Sequence, residues 1–397
     1  MTQDPGDELI GEIREAMAAG IIGGIAGEEV RSGRLRACFH GADGFGIPSA
    51  MHDLLATYVH HLDPFAIRFT ETFGIRWYGL AYVAGFLCAF FLFRWFVRIG
   101  ASELKDSQVG DFITLCAVVG TMVGGRLGYM LLYNFGELVA NPASFFDVLG
   151  GGMSSHGGIA GITITAWFYA RYTKTSWTGH GDNLVVVAPL GVFFGRLANF
   201  VNGELYGRPT ESAWAMKFPD ELTEVVETAT GREWKYPTAQ LRELATTAGD
   251  KAAGLPEKVD AAAASALAEG QDPHHAVVDL IQQASLESPA FRTLLGEILT
   301  PRHPSQLYEA AVEGLIPFLL LLAVRLKWKN AWHGILTGIF FLYYAIGRIA
   351  VENFREPDAD HIAGMTRGQF YSLFMILVGI GFLAYGLAKK RTNQLPA

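Results

Sequence analysis

Charged residues are scarce in this 397-residue chain: Asp, Glu, Lys and Arg make up 18% of it, against about 25% in an ordinary soluble domain. There is no basic surplus, because 31 Lys and Arg stand against 39 Asp and Glu for a formal net charge of −8. That balance excludes a nucleic-acid-binding protein, which needs a cationic footprint. The three cysteines, Cys38, Cys88 and Cys116, are too few and too scattered for a disulfide framework or a thiolate metal site. The histidines and acids do not fall into an HExxH or similar spacing, so no metal centre is expected. The first residues carry Asp4, Asp7 and Glu8 and lack the basic start of a signal peptide. Disorder is excluded from the other side, since half the residues are hydrophobic and the mean hydropathy is +0.24.

What the chain does have is long apolar runs. They lie at 77–93, 112–133, 157–170, 184–203, 314–324, 334–351 and 369–388. About 20 mostly apolar residues cross a bilayer as a helix, and shorter runs need help from their flanks. The pattern predicts an all-α polytopic membrane protein with about seven transmembrane helices. Loop charge orients it. Arg98 and Lys105, Arg171 and Lys174, Arg325, Lys327 and Lys329, and Lys389, Lys390 and Arg391 fall in alternate loops, while 134–155 holds neither Lys nor Arg. The positive-inside rule then places the N-terminus outside and the C-terminus in the cytoplasm.

The chain divides accordingly. Residues 1–57 form a polar, acidic extension, 58–207 carry spans one to four, and 208–300 form an enlarged outer-side segment that reads as a small helical head or a solvated linker. Spans five to seven occupy 301–390, and 391–397 form a cytoplasmic tail. Charge follows the same division. The stretches 1–72 and 208–300 carry net −6 and −7, while the remaining membrane portion is +5. The body of the protein therefore suits an anionic partner such as a phospholipid.

Arg126, Arg196 and Arg348 sit inside or at the ends of apolar runs, where an arginine costs about 2.5–3.5 kcal/mol at a helix centre. One of them has an evident local partner, because Glu352 lies one turn beyond Arg348 on the same helical face. The stretch GRLANFVNGELYGR, 195–208, crowds Arg196, Asn199, Asn202 and Glu204 together, with Gly203 and Gly207 allowing close backbone approach or simply ending the helix. Guanidinium pairs naturally with phosphate through its planar fork of donors. In SSHGGIAG, 154–161, His156 opens a Gly-rich helix at the outer interface. RHPSQLYEAAVEG, 302–314, brings His303, Gln306, Tyr308 and Glu309 to the start of the fifth run, and equally reads as a Pro-started helix with an interfacial tyrosine.

Six stretches together resemble the bacterial prolipoprotein diacylglyceryl transferases. They are IRWYGLAY (75–82), GGRLGYMLLYN (124–134), MSSHGGIAG (153–161), GRLANFVNGELYGR (195–208), RHPSQLYE (302–309) and GRIAVENFREPD (347–358), in the family's order. The resemblance covers about 58–207 and 301–390. Ala198 stands where the family usually has glycine, and the 208–300 segment is longer than expected, so nothing within 215–298 inherits a role. Residues 1–50 have no counterpart, which makes Met51 a candidate true start; an intact mass beginning at Met1 or Thr2 would refute that.

The resemblance implies transfer of diacylglyceryl from phosphatidylglycerol to the lipobox cysteine thiol of a prolipoprotein, in the bacterial inner membrane and without a cofactor. By position it implies His156, Arg348, Glu352, Glu204, Tyr78 and Tyr344 as catalytic candidates. For phosphatidylglycerol it implies Arg196, Asn199 and Gly207, with Arg126 and Tyr133 as secondary contacts. His156 is the candidate base. The rival class is a non-enzymatic transporter of anionic lipid or solute, but the two-fold repeat common in transporters is not found.

Overall fold

A computed structural model describes residues 58–70, 73–147, 151–228, 231–356 and 361–393. The N-terminal extension and Met51 lie outside the described residues.

The chain enters through an antiparallel hairpin, β1 (Phe65–Arg68) and β2 (Gly74–Arg76), which leads directly into α1 (Trp77–Arg98). Next come α2 (Asp106–Leu132), the short α3 (Phe135–Ala140), α4 (Ser155–Thr173) and α5 (Trp177–Asn202). After the 208–300 segment the chain returns through α10 (Ser305–Lys327), α11 (Ile335–Val351) and α12 (Arg367–Lys389). Start signals are local. Ser154 caps α4 by accepting from Gly157 N at 3.2 Å. Thr366 and Gln369 exchange backbone bonds at 3.2 Å in a capping box that opens α12.

Five of these helices, α1, α2, α5, α10 and α12, are long and apolar enough to cross a membrane. Of the about seven expected spans, five qualify on length and composition, and the runs at 157–170 and 334–351 lie in two helices, α4 and α11, that do not. With 17 residues, α11 rises only about 26 Å, short of a hydrocarbon core of about 30 Å. Although α4 has 19 residues, it carries Ser155, His156, Thr163, Thr165 and Arg171 among its apolar positions.

The bundle is packed from within and apolar without. Phe93, Phe96, Phe112, Val186, Leu321 and Leu336 are buried in one core drawn from α1, α2, α5, α10 and α11. Phe91, Met122, Phe168 and Leu377 are each more than half exposed, as lipid-facing side chains would be. The α2–α4 contact depends on glycine. A Cβ on Gly124 would lie 2.8 Å from Gly157 O, and one on Gly128 would lie 2.5 Å from Gly157 Cα. Such close crossings of small residues are the usual glue between membrane helices. This one fixes the start of α4, and with it His156.

The 208–300 segment is a folded helical head. After a tight turn at Pro219–Thr223 and the hairpin β3 (Val225–Thr228) and β4 (Gly231–Trp234), it contains α6 (Thr238–Ala248), α7 (Leu255–Ala268), α8 (Pro273–Glu287) and α9 (Pro289–Ile298). Leu222, Leu241, Val259, Val277, Ile281, Phe291 and Leu295 form its core, and Val59 is buried with them. Helical propensity in the Ala-rich stretch cannot separate a head from a linker, because the deciding contacts run between short helices.

Candidate functional site

Three helices bring their polar residues to one place. Arg196 lies near the end of α5, Glu309 and Glu313 one turn apart on α10, and Tyr344, Arg348 and Glu352 at the end of α11. Arg196 Nη2 is 2.7 Å from Glu309 and 3.3 Å from Glu313. Arg348 Nη1 is 3.0 Å from Glu313 and 3.6 Å from Glu309, while its Nη2 is 2.7 Å from Glu352. Tyr344 donates to Glu313 at 3.3 Å, and Arg355 approaches Glu309 at 3.7 Å. The side chains of Glu309 and Glu313 are 1% and 0% exposed, so this is a buried network.

Three guanidinium groups thus face three carboxylates. Burying a charge costs several kcal/mol, and only close opposite charge offsets it. The arrangement also divides the donors. Arg196 gives the carboxylates only Nη2, and the rest of its fork has no protein acceptor among the described residues. A fork held along one edge and open on the other is preorganised for a phosphate.

Beside the network, the end of α5 is tied down by amides. Asn199 Nδ2 donates to Glu204 at 2.7 Å and Asn202 Nδ2 at 3.3 Å, and Gln306 Nε2 reaches the Glu204 carbonyl at 2.7 Å. Gly207 sits where no side chain fits. Its N–H donates to His303 O at 2.8 Å, and a Cβ there would lie 2.8 Å from His303 Cβ and collide with Phe354 O. The requirement at Gly207 is thus one of space.

His156 stands apart from the carboxylates. It is exposed at the start of α4, with its ring edge-on to Tyr371 at 6.0 Å. Tyr371 is one turn along α12 from Gly368, whose Cβ position would lie 2.9 Å from Arg348 Nε and 2.7 Å from Glu352. One face of the first turns of α12 therefore borders both the histidine and the arginine pair.

The other expected site residues lie elsewhere. Arg126 is buried, and its donors go to backbone carbonyls: Phe145 at 3.0 Å, Gly152 at 3.1 Å, and Ser144 and Gly151. It shapes the loop after α2. Tyr133 is 63% exposed and stacks on Tyr129, and Tyr78 pairs with Tyr82 at 5.5 Å. None of these three contacts the carboxylate network.

Sequence reasoning missed the two carboxylates on α10. Glu313 was not singled out, Glu309 entered only as part of a helix-start motif, and Arg355 was not singled out either. A signal existed: two acids at i and i+4 in an otherwise apolar helix share a face and call for cationic partners.

A second network joins the head to the bundle. Arg302 lies 3.0 Å from Glu221, 2.8 Å from Glu224 and 3.1 Å from Glu356, and donates to the Gly207 carbonyl at 3.3 Å. Burial opposes ionisation of Glu221, but hydrogen bonds from Lys235 and Thr300, with the Arg302 charge, hold its pKa below the usual carboxylate range. Burial foremost, then the Glu204 and Glu224 charges, pushes Asp220 up to about 6. His60, stacked on Phe218 at 5.6 Å, is pulled down to about 4 chiefly by burial.

The family model described as "Prolipoprotein diacylglyceryl transferase" matches residues 64–385, a range that runs through the head. Among curated relatives, a phosphatidylglycerol–prolipoprotein diacylglyceryl transferase of Bdellovibrio bacteriovorus is 40% identical over 342 residues, covering 81% of this chain and 92% of that protein. Proteins of the same name from Rhodospirillum rubrum and Paraburkholderia phytofirmans are each 34% identical, covering 80% and 85% of this chain and 90% and 97% of their own lengths.

Proposed function

This chain belongs to the prolipoprotein diacylglyceryl transferase family, and on that premise we propose that it transfers diacylglyceryl from phosphatidylglycerol to a prolipoprotein thiol. It is a multi-pass membrane transferase of lipoprotein maturation. The acceptor is the lipobox cysteine, the membrane is the bacterial inner membrane, and the bundle crosses it seven times with the N-terminus outside and the C-terminus cytoplasmic.

The observation that carries the reading is the meeting of Arg196 and Arg348, from two different helices, on the buried Glu313. The cysteine sulfur attacks the diacylglyceryl carbon that carries the phosphate ester oxygen. A C–S bond forms, the C–O bond breaks, and glycerol phosphate leaves with the electron pair. Arg196 and Arg348 hold the phosphate and the charge that grows on it. Glu309, Glu313 and Glu352 hold the guanidinium groups in place, Tyr344 supports Glu313, and Asn199, Glu204 and Gly207 shape the wall beside Arg196.

The thiol must lose its proton. An ordinary thiol near 8.5 and an ordinary imidazole near 6.5 make that transfer uphill by about 2.7 kcal/mol, within reach of a general base beside positive charge. His156, whose ring meets Tyr371 one turn along α12 from the Gly368 that packs on Arg348, is the base in this reading. Tyr78 lines the lipid cavity, and Tyr133 contacts the lipid at its edge. Arg126 serves the site through the loop it binds.

The test is to incubate the purified protein with phosphatidylglycerol and a lipobox peptide. Transfer adds the diacylglyceryl mass to the peptide and releases glycerol phosphate. Lipid flipping without thioether formation would instead identify a transporter.

A further inference from the structure

At the end of the bundle away from the head lies a cavity of about 210 Å³ between α4, the start of α5 and the chain after α12. Its lining includes Arg171, Arg391, Thr175, Thr178, Trp167 and Tyr385, and no acidic side chain. Among the described residues neither arginine has a carboxylate partner. The Arg171 guanidinium instead sits 5.0 Å from the centre of the Trp167 ring. Arg391 is held in place by the hydrogen bonds around it: His333 N donates to its carbonyl at 2.8 Å, and His333 Nε2 meets Asn393 Oδ1 at 2.9 Å.

This cavity is separate from the carboxylate network. Trp177, which opens α5, lines it, and Arg196 lies 19 residues further along the same helix, about 28 Å away at 1.5 Å per residue. The polarity of α12 agrees, with Gly368 at the network and Tyr385 at the cavity.

We propose that this cavity binds the phosphate of an anionic phospholipid in the leaflet opposite the head. Two guanidinium groups without carboxylate partners supply the donors that a phosphate diester accepts. Basic pockets between membrane helices on the side rich in Lys and Arg are where anionic headgroups bind. The rim distinguishes a lipid from a free anion. Trp167 and Tyr385 are 40% and 37% exposed, as aromatic side chains at a membrane interface are, and the neighbouring Phe168, 61% exposed, offers apolar surface for an acyl chain.

The test uses the full chain in nonionic detergent with dioleoyl-phosphatidylglycerol, and counts retained lipids by native mass spectrometry. Wild type should retain one more lipid than the Arg171→Ala/Arg391→Ala variant, whose affinity for that lipid should fall about tenfold, the scale of one charge-assisted contact. Diacylglyceryl transfer by the variant should persist, which separates this cavity from the network around Arg196. A control variant, Arg98→Ala/Lys105→Ala, removes the same charge nearby but outside the cavity and should retain the lipid. Equal retention by wild type and the cavity variant, or an equal loss in the control, would overturn the proposal. Displacement of the lipid by millimolar inorganic phosphate would assign the cavity to a free anion and overturn the lipid assignment.

Discussion

Replacing Glu313 by Gln removes one negative charge from the point where Arg196, Arg348 and Tyr344 converge. The shape is kept and one acceptor oxygen survives, so little packing is lost. Glu313 lies 3.3 Å from Arg196, 3.0 Å from Arg348 and 3.3 Å from Tyr344, and its side chain is fully buried. Removing one partner of a buried ion pair costs about 3–5 kcal/mol, because the remaining charge stays desolvated. Glu309 and Glu352 still face the two arginines, so the lower end, about 3 kcal/mol, is expected. If the open edge of Arg196 binds phosphate, an anionic lipid should replace part of the missing charge. Glu313→Gln should therefore melt several degrees below wild type in neutral detergent, and phosphatidylglycerol should raise its midpoint more than it raises that of wild type. Phosphatidylcholine, whose phosphate is offset by its choline, should not. A thermal unfolding series with each lipid is the assay. An unchanged midpoint, or equal rescue by both lipids, would refute the reasoning.

Gly207→Ala places a methyl group 2.8 Å from His303 Cβ and against Phe354 O, so it should lose about 1–3 kcal/mol in thermal melts. His60 has a folded pKa of about 4 against 6.5 unfolded, so the unfolded state binds the extra proton. Stability from this group is present above pH 6.5 and is lost as pH falls toward 4, by about 2 kcal/mol at pH 5. His60→Phe should not show that loss, although Asp220 titrates in the opposite sense in both proteins, so the readout is the variant-minus-wild-type difference across pH 5–7. His156→Gln should lower kcat while leaving the melting midpoint unchanged; an unaltered kcat would remove His156 from the proton transfer.

Much of this architecture was legible in the chain. The apolar runs marked the helices, and the i,i+4 spacing correctly paired Arg348 with Glu352, found at 2.7 Å. Helical periodicity speaks only for one helix at a time, however. Arg196 and Glu313 are 117 residues apart, and nothing local joins them. For the same reason the sequence named the cations but not the α10 acids that hold them. Arg126 looked like the other two arginines because its partners are backbone carbonyls, which carry no residue-type signature. The span count was least legible where helices were short or polar. The packing of α4 and α11 among their neighbours depends on glycine contacts and buried ion pairs, and a hydropathy window sees neither.

The central claim is that Arg196 and Arg348 carry the phosphate of the lipid donor. Its most direct test is the peptide mass assay on Arg196→Ala and Arg348→Ala, each first shown to insert in the membrane and purify as a folded protein. Losing one charge-stabilising group of this kind typically costs about a hundredfold or more in rate, so neither variant should add diacylglyceryl to the peptide at a measurable fraction of the wild-type rate. Near-normal turnover by either folded variant would contradict the account.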